Sequence, residues 1–115
     1  MTLLLDPSNA NWLDQVLSIF ETDEPVALPT ETVYGLGANA LDPRAAKRIY
    51  KAKGRPSDNP LIVHISDYEM LDQVAKDISP EARILMDKYW PGPLTLIFYK
   101  KDTIPAETTG RLETV

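Results

Sequence analysis

Six of the twelve lysines and arginines lie between Arg44 and Arg55, namely Arg44, Lys47, Arg48, Lys51, Lys53 and Arg55. No acidic residue interrupts the chain from Pro43 to Ser57. In a protein of formal net charge −5, one concentrated basic stretch is a candidate anion site. Arg44, Lys47, Arg48 and Lys51 recur at spacings of three and four, so they share one side of a helix and read well as a solvated face. Lys53 and Arg55 sit where Gly54 and Pro56 end that helix. From a turn, their side chains can converge on one phosphate group, the guanidinium as a planar fork and the ammonium as a compact charge. Spacing alone leaves an anion site and an ordinary basic turn both open.

Other residues carry weaker signals. Pro29-Thr30-Glu31-Thr32 places two hydroxyls and a carboxylate after a short apolar run, and ligands in open α/β sheets often sit at strand ends. A plain turn would use the same residue types. Gly35 and Gly37 match neither a dinucleotide fingerprint nor a Walker phosphate loop. Asn59, between Asp58 and Pro60, can donate and accept, although all three are common turn residues. Trp90-Pro91-Gly92-Pro93-Leu94-Thr95 reads equally as a cleft wall and as a rigid helix-to-strand connection. His64 is the one histidine and there is no cysteine, so a histidine or thiolate metal site is excluded. A carboxylate-only magnesium site, completed by phosphates, stays open. No nucleophile elbow accompanies His64, which disfavours a serine hydrolase.

The elements that must position these residues follow from periodicity and caps. Leu13, Val16, Leu17 and Phe20 predict a helix over Asn11 to Phe20 with those four on its apolar face. Val26 to Leu28 is a strand candidate, and Val33 to Ala40 an apolar run bent by its glycines. Asp42-Pro43 starts a helix running to about Ala52, with Ala45, Ala46, Ile49 and Tyr50 inward. Leu61 to Ile65 predicts a buried strand, with Ile62 and His64 on one face. Ser66 and Glu69 fit a capping box for a helix over Asp67 to Ala75. Ser79-Pro80 starts another, with Ala82, Leu85, Met86 and Tyr89 inward. Leu94 to Tyr99 reads as a strand, Lys100 to Thr109 as a polar loop, and Gly110 to Val115 as the start of a further strand. Alternating helices and strands give an α/β or α+β class.

With 115 residues, 43% of them apolar and 25% charged, the chain has the composition of one small globular domain. The acidic balance argues against coating nucleic acid by bulk charge. The N-terminal apolar run, Leu3-Leu4-Leu5, is too short for a secretory signal or a membrane span. A soluble cytoplasmic protein is the expectation.

Four segments in order resemble the YrdC family of threonylcarbamoyl-AMP synthases. They are Pro29-Thr30-Glu31-Thr32-Val33-Tyr34-Gly35-Leu36-Gly37, Lys53-Gly54-Arg55-Pro56, Asn59-Pro60-Leu61-Ile62-Val63-His64, and Trp90-Pro91-Gly92-Pro93-Leu94-Thr95. The resemblance implies a twisted mixed sheet with flanking helices around a positively lined cavity. It implies synthesis of threonylcarbamoyl adenylate and pyrophosphate from L-threonine, bicarbonate and ATP with Mg2+. A partner transferase then modifies an adenosine of tRNA next to the anticodon.

By motif, Thr32 and His64 match threonine-contacting positions, and Arg55 and Asn59 match ATP-contacting ones. Lys53 matches the lysine facing the triphosphate, which gives Lys53 and Arg55 the catalytic charge-stabilising role. Thr30, Tyr34 and Leu61 match pocket-lining positions. The family domain is longer, with a Ser-x-Asn segment in its second half, so residues 1–115 are expected to be the incomplete N-terminal part of a single YrdC-like domain. The competing expectations are a non-catalytic module binding tRNA or double-stranded RNA through the Arg44 to Arg55 cluster, and an inactive fragment.

Overall fold

Local sequence chemistry sets the helix ends in the computed structural model, which describes residues 2–115. Its elements are α1 (Trp12–Glu21), β1 (Val26–Leu28), β2 (Gly35–Gly37), α2 (Pro43–Lys53), α3 (Tyr68–Val74), β3 (Ala75–Lys76), α4 (Pro80–Tyr89) and β4 (Tyr99–Lys100). The class is α+β, with the strands in two antiparallel pairs, β1 with β2 and β3 with β4. The chain forms two compact units, the first ending at Pro56 and the second running from Ser57 to Val115.

In the first unit, α1 packs against β1. Its inward stripe differs from the expected one. Val16 is buried and Trp12, Ile19 and Phe20 are half-buried, whereas Leu13 and Leu17 are about half exposed. Two apolar stripes overlap in this sequence, and the one containing the large Trp12 turns inward. Helix α2 follows its sequence closely. The Asp42 carboxylate accepts from the Arg44 N–H at 2.8 Å, Pro43 takes the first turn, and Ala45, Ala46, Ile49 and Tyr50 are buried. Gly54 ends it in the left-handed region, at φ 59°. The Arg55 N–H reaches the Tyr50 carbonyl at 3.1 Å and the Gly54 N–H the Lys51 carbonyl at 3.3 Å, which together make a Schellman cap.

In the second unit, Leu71, Val74, Ala75, Met86 and Ile104 form the buried core. Val63, Ile65, Trp90, Leu96, Phe98 and Val115 pack against it. Asp67, not Ser66, caps α3. Its carboxylate accepts from the Met70 N–H at 2.7 Å, while the Ser66 hydroxyl donates to the other carboxylate oxygen at 2.7 Å. A carboxylate outcompetes a hydroxyl for the helix N–H groups because the bond is charge-assisted. Ser79 caps α4 through the Ala82 N–H, as expected. On α4, Met86 is buried and Ala82 half-buried, but Leu85 and Tyr89 are exposed, so the inward face is narrower than its apolar residues suggested.

The segment Leu61 to Ile65 is not a buried strand. It alternates as a strand would, with Leu61, Val63 and Ile65 half-buried and Ile62 and His64 exposed, yet no ladder covers it among the described residues. Alternation is a property of the local sequence, whereas a ladder needs a partner elsewhere. The strand expected at Leu94 to Tyr99 contracts to β4 for the same reason. The expected final strand is a single bridge, Tyr99 with Thr114, flanked by two Phe98–Val115 backbone bonds of 2.8 and 2.9 Å.

The polar loop after β4 has structural work. The Lys101 N–H donates to the Val74 carbonyl at 2.9 Å, the Thr103 hydroxyl to the Gln73 carbonyl at 2.6 Å, and the Lys101 ammonium to the Asp72 carbonyl. These donors satisfy carbonyls that the end of α3 leaves open. The loop also carries Ile104 into the core.

Candidate functional site

The β1–β2 hairpin presents Thr30, Thr32 and Tyr34. Leu28 pairs with Gly35, so Pro29 to Tyr34 form the connecting loop. The Thr30 hydroxyl donates to the Val33 carbonyl and accepts from the Thr32 N–H at 3.3 Å. A Cβ at position 35 would stand 3.2 Å from the Thr30 methyl, so glycine there lets Thr30 lie across the hairpin. Thr30 therefore organises the loop from within, and Thr32, Val33 and Tyr34 are exposed at its tip. Val33 and Tyr34 are about three-quarters exposed, a large apolar display for so short a loop.

Lys53 and Arg55 flank the Gly54 cap at the end of α2. A helix C-terminus carries partial negative charge, so lysines in its last turn suit the dipole. Lys51 and Lys53 occupy that turn. The same dipole repels an anion, so any phosphate there must be held by the Lys53 and Arg55 side chains and not by backbone amides. The sharp reversal at Gly54 turns the chain from the exposed Lys53 to the half-buried Arg55.

The rest of the basic cluster is largely spoken for. Arg44 makes a two-pronged contact with Asp42, at 2.8 and 3.2 Å. Arg48 pairs with Glu24 at 3.0 Å and with Asp23 at 3.3 Å. Asp23 has a left-handed backbone, at φ 57°, which an aspartate tolerates, and its carboxylate also lies 3.7 Å from Arg44. Two guanidiniums of the cluster thus tie α2 to the α1–β1 connection. The Arg44 hydrogen bond holds the Asp42 carboxyl below the usual carboxylate range, with the Arg44 backbone N–H next in effect.

Asn59, Leu61 and His64 stand on one segment of the second unit. Asn59 and His64 are exposed and Leu61 is half-buried. The Leu61 N–H donates to the Thr108 carbonyl at 3.0 Å. The His64 ring Nδ1 lies 3.4 Å from the Ile62 carbonyl. Thr108 and Gly110, which hold this segment, belong to none of the motifs legible in the sequence. Thr108 lies in the segment expected as a polar loop, and Gly110 opens the segment expected as a strand.

Trp90-Pro91-Gly92-Pro93 is a built connection. The Trp90 indole N–H donates to the Leu94 carbonyl at 2.8 Å, and the Trp90–Pro91 peptide is cis. Trp90 packs on the core and lies 6.4 Å from the Tyr68 ring, whose hydroxyl donates to Asp87 at 2.8 Å. That Asp87 bond raises the Tyr68 pKa. The described residues hold no group of three or more His, Asp or Glu able to cage a metal. No helix among them is long and apolar enough to cross a membrane.

These features define an α+β protein with a polar hairpin tip and a basic, glycine-capped helix end. The Sua5/YciO/YrdC family profile, described as telomere recombination, matches residues 18–115. The chain is 60% identical over 90 residues to the threonylcarbamoyl-AMP synthase of Pyrococcus abyssi, covering 78% of this chain and 26% of that protein. It is 50% identical over 109 residues to that of Bacillus subtilis, covering 94% and 32%. The crystal structure of P. abyssi Sua5 complexed with L-threonine superposes with a TM-score of 0.92 at 47% identity, over 99% of this chain and 34% of that one. The chain belongs to the Sua5/YciO/YrdC family, and it spans about a third or less of the length of these relatives.

Proposed function

We propose that this chain supplies part of the substrate-binding machinery of a threonylcarbamoyl-AMP synthase. The observation that carries the reading is its likeness, at 47% identity, to a Sua5 structure complexed with L-threonine. In this reading Thr32 and His64 contact L-threonine, and Arg55 and Asn59 contact ATP. Lys53 faces the triphosphate, and Thr30, Tyr34 and Leu61 shape the surroundings.

The reaction makes these residue types useful. The threonine amine adds to bicarbonate-derived carbon and water leaves, giving a carbamate. A carbamate oxygen then attacks the α-phosphorus of ATP, and the bond to pyrophosphate breaks. Such chemistry depends on positioning and on stabilising charge as the phosphates separate. Lys53 and Arg55 do the second task. Mg2+ bound with ATP would add charge neutralisation beside Lys53 and Arg55. The product then passes to threonylcarbamoyl transferase machinery that acts on tRNA.

Direct RNA binding through α2 is the weaker reading, since Arg44 and Arg48 are already engaged by Asp42, Asp23 and Glu24. The test is pyrophosphate release from ATP by the protein carrying this sequence, with threonine and bicarbonate each present or omitted. Release that needs both supports the proposal, and release indifferent to threonine rejects it.

A further inference from the structure

Asn59 has a backbone neighbour on each side, and one glycine fits against both. Gly110 is buried and left-handed, at φ 59°. A Cβ there would stand 2.8 Å from the Asp58 carbonyl oxygen, 2.9 Å from the Asp58 carbonyl carbon and 3.2 Å from the Pro60 nitrogen. These are backbone atoms, so no side chain can swing aside to relieve the contact. The glycine also cannot retreat easily. The Thr108 N–H donates to the Pro105 carbonyl at 3.1 Å, the Arg111 N–H to the Ala106 carbonyl at 2.8 Å, and the Thr109 hydroxyl to the Leu112 carbonyl at 2.9 Å. Thr108 and Thr109 are buried, and Arg111 is itself left-handed, at φ 68°. On the facing segment, the Leu61 N–H is fixed to the Thr108 carbonyl, immediately after Pro60.

We infer that Gly110 is a positioning residue for nucleotide recognition. Its bare Cα sets the path of the backbone from Asp58 to Pro60 and so aims the Asn59 side chain. A larger residue at 110 would push apart the two peptide units that carry Asn59, and the side chain would leave its working direction. The inference rests on the proposed role of Asn59 in ATP binding.

A double-mutant cycle tests it, because a merely structural glycine would not couple to one exposed side chain. Gly110→Ala, Asn59→Ala and the double variant are prepared in the whole chain. ATP is titrated into each by calorimetry, and thermal unfolding is recorded alongside. Gly110→Ala is expected to weaken ATP binding by roughly tenfold, the scale of one misaligned hydrogen bond. In the Asn59→Ala background the same substitution should add nothing. If Gly110→Ala does not melt cooperatively, Gly110→Asn carries the test, since asparagine accepts the left-handed backbone but still brings a Cβ. A folded variant with unchanged ATP affinity, or fully additive losses in the double variant, overturns the inference alone. A wild-type chain with no ATP affinity overturns the functional reading and this inference with it.

Discussion

The hydroxyl of Thr30 donates to the carbonyl of Val33 and so closes the loop that carries Thr32 at its tip. Thr30 thereby has a role that needs no contact with a ligand. Thr30→Val keeps the shape but removes both hydroxyl bonds, to the Val33 carbonyl and from the Thr32 N–H, and should weaken threonine binding by about twofold to tenfold, the scale of one net hydrogen bond. Thr30→Ser should restore it. Calorimetric titration with L-threonine checks both, and equal affinity in Thr30→Val would mean the loop holds itself by other means.

Arg55 lies one residue past the Gly54 cap, on the side of the reversal away from Lys53. On the proposed function, Arg55→Ala in the protein carrying this sequence should lower the rate of pyrophosphate release by a factor on the order of 10²–10³, the usual effect of removing one charge-stabilising donor. Steady-state rates at saturating ATP and threonine read this directly. Unchanged rates would remove Arg55 from the reaction.

The two α4 positions Leu85 and Met86 give opposite expectations from adjacent residues. Met86 is fully buried in the core of the second unit and Leu85 is 41% exposed. Met86→Ala should cost about 2–5 kcal/mol in urea unfolding, from lost burial and the cavity left behind. Leu85→Ala should cost under about 1 kcal/mol. The reverse order would place the other face of α4 inward.

Gly92 has a different constraint. A Cβ there would meet the Tyr89 carbonyl oxygen at 2.5 Å, well inside the contact distance of a carbon that cannot hydrogen-bond. Gly92→Ala should therefore destabilise the second unit by about 1–3 kcal/mol, the range of overpacking effects. Chemical denaturation that leaves the midpoint in place would contradict the geometry.

Acid should loosen α2 in a defined direction. The folded Asp42 carboxyl lies below its unfolded value because Arg44 bonds to it. Its contribution is complete above the unfolded carboxylate pKa of about 3.9 and is lost as pH falls through the lower folded value. Asp42→Asn keeps an acceptor at the cap without that titration. The gap in melting temperature between wild type and Asp42→Asn should narrow as pH drops below about 4. A gap that stays constant there would show that charge at Asp42 adds nothing.

Features set by neighbouring residues were legible in the sequence. Asp42, Pro43 and Gly54 announce α2 because capping chemistry is local, and Ser79-Pro80 does the same for α4. The Lys53–Arg55 pair was readable as an anion candidate because a glycine stops the helix between them. Features set by distant residues were not. Leu61 to Ile65 alternates correctly but has no ladder, and nothing local says whether a partner strand is present. The carboxylates that occupy Arg44 and Arg48 include Asp23 and Glu24, which stand in the α1–β1 connection, some twenty residues back along the chain. Gly110 was silent because its neighbours Asp58 and Pro60 lie far back along the chain. Resemblance assigned the ligand roles of Thr32, Asn59 and His64, whose residue types alone are ordinary turn and strand chemistry.

Synthesis of threonylcarbamoyl adenylate, the proposed function, is tested by following pyrophosphate released from ATP by the protein carrying this sequence, with threonine and bicarbonate supplied together and singly. Release is expected with both, little with either alone, and a steep loss in Arg55→Ala. Pyrophosphate release that ignores threonine, or none under any combination, would contradict it.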